Sequence, residues 1–144
     1  MADYSLTPSA VIASDDATLV NYTAGATIAA GQPLYSDSTA LDARRRGKVK
    51  LADANASAAT SVMVGLAASS ATSGQPVRII TEDDDYTHGL TGVTAGDIII
   101  VSATAGGLAP ASDMASGMYP CVAMIATSET KAKLVVSNGT AAKP

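Results

Sequence analysis

The sequence predicts an all-β protein: a small β-sandwich or barrel of about eight short strands with an extended N-terminal arm. Short apolar runs, several alternating with polar residues, recur along the chain, while helix-period apolar stripes are scarce. Gly, Pro, Ser and Asp punctuate those runs. One phrase is also written three times, in "TIAAGQPLYS", "SATSGQPVRIIT" and "GVTAGDIIIVS": small residues, Gly, then Gln or Asp, then an apolar run.

Residues 1–17 lack convincing periodicity and read as the arm, 18–137 as the β-rich body and 138–144 as a flexible tail. The strands expected in the body begin with "TLVNYT" and "PLYS". "KVKLAD" then places Val49 and Leu51 on one face, opposite its lysines. "SVMVGLA" puts Val62, Val64 and Leu66 on one side, with Gly65 as a bulge or point of close approach. "PVRIIT" sets Val77 and Ile79 opposite Arg78. "DIIIVS" and "YPCVAMIA" are apolar on both faces, as in strands covered twice or turned on one face to a neighbouring subunit. "KAKLVVS" closes the series with Leu134 and Val136 inward. Two short helical turns are expected, one in "ADANASAAT" with Asp53 as N-cap, one in "ASDMASG" starting at Ser112 or Asp113 and stopping at Gly117.

The repeated phrase is turn chemistry. Gly31, Gly74 and Gly96 each precede a strand, where glycine takes positive φ without a Cβ penalty. Pro33 and Pro76 fall at the first residue of a strand, where a missing N–H breaks no ladder. A phosphate-binding loop would lead into a helix instead, with further glycines or a Lys followed by Ser or Thr.

Composition narrows the function. The 144 residues include no Phe and no Trp, so the core is built from Val, Ile, Leu, Met and Ala, and part of the buried surface is expected to come from partner subunits. A net charge of -4 argues against bulk nucleic-acid binding. No apolar run approaches membrane-spanning length, and the N-terminus lacks the pattern of a secretory signal. The lone Cys121, in an apolar run, reads as a small core residue.

Candidate chemistry is sparse. His88 is the single histidine, in a loop, and is expected to be solvated. "TEDDDY" gathers Glu82, Asp83, Asp84 and Asp85 but lacks the Gly and Glu that an EF-hand loop requires, so it reads as a solvated hairpin tip with no metal. No nucleophile elbow or His relay is present, and neither catalytic residues nor a cofactor are expected. Two stretches are candidates for partner binding. The arm offers Tyr4, Leu6, Pro8, Val11 and Ile12 for strand addition or groove packing on a neighbour. "ARRRGKVK" concentrates basic charge at Arg44, Arg45 and Arg46, and arginine is enriched at protein interfaces.

Three stretches, "TAGATIAAGQPLYSDS", "GKVKLADANASAATSVMVGLAASSATSGQPVRIIT" and "TAGDIIIVSATAGGLAPASDMASGMYPCVAMIATSETKAKLVVS", together resemble the small head decoration, or capsid cement, proteins of tailed bacteriophages. The likeness runs from about Thr23 to Ser137 and lies in a rhythm of glycine turns and strands, with no diagnostic motif. It implies a compact β-rich homo-oligomer, commonly a trimer, bound to the major capsid protein on the outer surface of the virion after synthesis in the host cytoplasm. It implies no catalysis, no cofactor, and no nucleic-acid or membrane partner. The competing expectation is a fibre or spike module that binds a host-surface carbohydrate.

Overall fold

The structure is a computed structural model that describes residues 3–139 and 141–144. Among them the chain is nearly all-β and forms twelve strands in three antiparallel sheets, arranged as a small sandwich. In chain order the strands are β1 (Ser5–Leu6), β2 (Thr18–Thr23), β3 (Pro33–Leu41), β4 (Gly47–Leu51), β5 (Gly65–Ala67) and β6 (Pro76–Glu82). They continue with β7 (Tyr86–Thr87), β8 (Leu90–Thr91), β9 (Ile98–Val101), β10 (Leu108–Pro110), β11 (Cys121–Ala126) and β12 (Lys131–Asn138). The eight expected strands correspond to β2–β6, β9, β11 and β12. The other four, β1, β7, β8 and β10, are pieces of two or three residues, too short to show a period of their own.

The first sheet has the order β2-β6-β5-β3-β4 and curls until its outer strands meet at one bridge, Ala24 to Val49, without closing a barrel. Inside the curl lies an aliphatic core of Ile28, Leu34, Val49, Val77 and Ile79. The second sheet, β10-β9-β11-β12-β7, lies against the outside of that curl. Between the sheets a larger core joins Met63, Leu66 and Ile80 to Ile99, Val101, Met124 and Leu134. Consecutive residues of β6, Ile79 and Ile80, therefore point into different cores, as do Leu66 and Ala67 of β5. At their junction Gly65 is obligatory: a Cβ there would collide with the Ile79 side chain and sit 2.5 Å from the Ile80 carbonyl oxygen. The close approach read from the sequence is real.

Two local expectations are corrected. The first helical turn, α1 (Ala58–Ser61), is capped by Ser57, whose side chain accepts from the Thr60 N–H; Asp53 accepts from Asn55 and lies upstream of the helix. Because α1 runs to Ser61, Val62 emerges exposed, and Met63 is the residue that turns inward. The second, expected to start at Ser112 or Asp113 and to stop at Gly117, is instead a 3-10 turn over Ala111–Asp113, preceded by Pro110 and ended by Met114.

The repeated phrase is a turn with a fixed wiring. Gly31, Gly74 and Gly96 have φ of 89°, 89° and 93°, each at the third position of a four-residue turn closed by a backbone bond. In each, the side chain of the fourth residue reaches back to the first N–H: Gln32 to Ala29, Gln75 to Thr72, Asp97 to Thr94. The glycine N–H is exported to a remote strand or loop, to the carbonyls of Ala67, Ala24 and Ala126 respectively. Two further copies, at Gly106 and Gly117, donate to Ala52 and Lys143. In the Gly117 turn the Met118 sulfur stands in for the Gln or Asp oxygen, accepting from Ala115. In the Gly106 turn Gly107 occupies that place, and the first N–H, that of Thr104, donates to the Ser102 hydroxyl instead. Pro33 and Pro76 open β3 and β6 as expected.

The chain end is part of this wiring. The stretch expected as a flexible tail, 138–144, is tied at Asn138, which accepts from Met63 N–H and the Cys121 thiol, and at Lys143, which exchanges two backbone bonds with Gly117 and Met118.

Candidate functional site

The N-terminal arm does add as a strand, but to its own chain. Tyr4 N–H donates to Leu108 of β10, β1 pairs with β8, Thr7 N–H donates to Gly89, and Ile12 bridges Thr87 of β7. The arm thus runs along the second sheet and the short strand β8, and Ser14 then docks on Asp83 through its N–H and hydroxyl. Glycine makes room for it twice. A Cβ at Gly31 would lie 2.7 Å from Val11, and one at Gly89 2.7 Å from the Thr7 carbonyl oxygen. Of the candidate contact residues, Tyr4, Leu6 and Val11 pack against the intersheet core, whereas Pro8 is exposed and Ile12 is 61 % exposed. The Tyr4 hydroxyl donates to Asp97 at 3.1 Å, and burial together with that carboxylate pushes the tyrosine pKa up to about 12.

Under the arm sits His88, which is buried, contrary to the solvated role expected. Its Nδ1 accepts from Leu90 N–H at 2.9 Å, so the ring is held neutral there. Burial lowers its pKa, an effect partly offset by the Ser128 carbonyl. A cavity of about 250 Å³ lies between the ring and the arm, lined by Thr7, Ala10, Gly89 and Thr130 among others. Nothing in the local sequence distinguished this histidine from an exposed one; the adjacent Gly89 matters only in three dimensions, where it lets the arm close over the ring.

The acidic run divides. Asp83 is buried, and although burial opposes its charge, the bonds from Ser14 and Asp85 hold its carboxyl below the usual range. Asp84 and Asp85 are exposed and pair with Lys133 and Lys131 at 3.8 and 3.6 Å. Among the described residues no group of His, Cys, Asp and Glu is placed to hold a metal ion. Cys121 is fully buried, with burial raising its pKa.

The basic loop is the β3–β4 turn, on the first sheet, and it is not brought together with the arm. Asp42 organises it by accepting from the backbone N–H groups of Arg44 and Arg46, while Arg45 takes a φ of 62°. Arg46 lies 4.8 Å over the Tyr22 ring and 3.6 Å from the Asp42 carboxylate. Its neighbours Arg44 and Arg45 are exposed, and a cleft of about 410 Å³ opens between this loop, Asn21, Thr23 and Pro76.

The outer face of the second sheet is the third surface. Ile98, Ile125 and Val135 of β9, β11 and β12 are 45 %, 37 % and 36 % exposed, and Ile98 stands directly opposite Ile125. The doubly apolar runs "DIIIVS" and "YPCVAMIA" are buried over most of their length, Ile100 included, and Ile98 and Ile125 are their exposed members within the strands. Among the described residues no helix is long and apolar enough to cross a membrane. No protein-family model matches the chain, and no characterised protein matches it.

Proposed function

We propose that this is a virion structural protein that binds the outside of a mature phage capsid lattice and stabilises it as a homo-oligomer, with the major capsid protein as partner and no catalytic role. The observation that carries the reading is the division of the surface. Tyr4 and Ser14 of the arm and Asp83 of the acidic run are spent on internal wiring. Ile12, Leu41, Ile98, Ile125 and Val135 keep much of their apolar surface in solvent, on separate elements. Such a body adheres through several modest contacts, which in a symmetric oligomer on a lattice multiply through effective concentration. Because it binds the assembled shell and not its disrupted state, mass action stabilises the shell.

The alternative, a carbohydrate-reading fibre or spike module, needs open aromatic faces. All five tyrosines are buried or half-buried, and Arg46 covers the ring of Tyr22, which favours the capsid reading. The arm's part in binding is narrower than its composition promised, since Tyr4, Leu6 and Val11 are already occupied within the chain.

The test is co-sedimentation of the purified protein with emptied phage capsids, beside a glycan array. Co-pelleting at a fixed stoichiometry is expected, reduced by Ile12→Ser and Ile125→Ser. Retention on glycans with no capsid binding would overturn the proposal.

A further inference from the structure

The register of the first sheet places opposite charges at opposite ends of one strand. β2 pairs with β6 from Thr18 opposite Glu82 to Thr23 opposite Pro76. Just before Thr18 lie the exposed Asp15 and Asp16, and just after Glu82 lie the exposed Asp84 and Asp85. At the other end, Thr23 and Pro76 line the cleft of the basic loop with Arg44 and Arg46. At about 3.3 Å per residue, the six residues of β2 hold these ends about 20 Å apart. Each end is only partly neutralised within the chain: Asp84 and Asp85 pair with Lys133 and Lys131, and Arg46 with Asp42. Asp15, Asp16 and Glu82 have no cation partner, and no carboxylate pairs with the side chains of Arg44 or Arg45, among the described residues.

From this geometry we propose that copies of this chain associate head to tail, the cleft at Arg44, Arg45 and Arg46 receiving the Asp15, Asp16 and Glu82 carboxylates of a second copy. The receiving loop is set in advance by Asp42, which fixes the backbone of Arg44 and Arg46, and by the packing of Arg46 on Tyr22, so little ordering is lost on contact. A guanidinium presents a planar fork of donors that fits a carboxylate edge. The two surfaces are different patches of one molecule, so the contact is heterologous and builds a ring where the rotation between copies closes. A trimer is one such closure. The contact is independent of capsid binding, which co-sedimentation tests separately, so its failure removes this mode of self-association and leaves capsid binding standing.

Sedimentation velocity on the full chain tests it, at about 25 mM and about 500 mM salt, where screening separates charge contacts from apolar ones. Wild type is expected to sediment as an assembly larger than a monomer at low salt and to dissociate at high salt. Arg44→Ser with Arg45→Ser removes the receiving end; Asp15→Asn, Asp16→Asn and Glu82→Gln together remove the donating end. Each variant alone is expected to associate about tenfold or more weakly. An equimolar mixture restores one intact contact, giving a species of two chains and nothing larger. Circular dichroism checks that both variants keep the β spectrum, as exposed positions should allow. A monomer at low salt, an assembly indifferent to salt and to both variants, or a mixture that stays monomeric would each overturn the proposal.

Discussion

The two five-stranded sheets solve the same burial problem in different ways. The first curls and fills its own hollow with Ile28, Leu34, Val49, Val77 and Ile79. The second stays open, buries one face on the outside of the first, and leaves Ile98, Ile125 and Val135 in solvent. A chain without Phe or Trp cannot fill a thick space with few residues, so it builds two thin cores that share β5 and β6 as their partition. The lesson is that the partition is critical and the outer face of the second sheet is dispensable for folding.

The sharpest way to break the comparison is at the partition. Gly65→Val should cost about 3 kcal/mol or prevent folding, because the collision is with backbone and with a fully buried isoleucine. Urea denaturation measures it. Ile80→Ala and Ile79→Ala come next, each at about 2–5 kcal/mol. They should differ in where they act: hydrogen exchange should accelerate mainly in β9, β11 and β12 for the first and mainly in β2–β4 for the second. Tyr4→Phe, which loosens the arm from the second sheet, should cost about 1 kcal/mol. Because the Tyr4 pKa is raised in the fold, that bond's contribution is complete below about pH 10 and disappears as pH rises through about 12, and a wild-type minus variant pH titration reads it directly. Ile125→Ser should be the smallest effect, within about 0.5 kcal/mol on the isolated protein, since the side chain has water on one side already.

Acid should act through His88. Its folded pKa is lowered, so the neutral ring's contribution is intact above the unfolded value of about 6.5 and is lost as pH falls from there through the folded value. His88→Gln should remove that slope from the stability profile; a profile identical to wild type would show that the imidazole is not the group being titrated.

Most of the major strands were readable because each carries enough residues to show an apolar run or an alternation, and the turn glycines because a strand follows each one; β5, with three residues, was found while its inward face was misread at Val62. β1, β7, β8 and β10 were not, since pairings such as Leu6 with Leu90 are dictated by the partner and leave no period behind. The copies of the turn at Gly106 and Gly117 escaped notice because Gly107 offers no side chain and Met118 uses sulfur where Gln and Asp use oxygen. The arm's composition marked it as adhesive, yet could not say that its partners are β7, β8 and β10 of its own chain. Burial of His88 and Asp83 was invisible for the same reason: both are covered by segments remote in the chain, Asp83 by Ser14 and His88 under the arm. The basic loop was legible as charge, whereas its alignment with the acidic end follows only from the β2–β6 register.

The five wired corners make each reversal of direction hostage to a distant piece of backbone. An isolated hairpin of this chain therefore gains little by forming early, and the amides of Gly31, Gly74, Gly96, Gly106 and Gly117, although three of these glycines are exposed, are bonded as deeply as strand amides. Opening one such corner frees backbone in two places at once, the turn and the strand or loop that accepts its glycine amide.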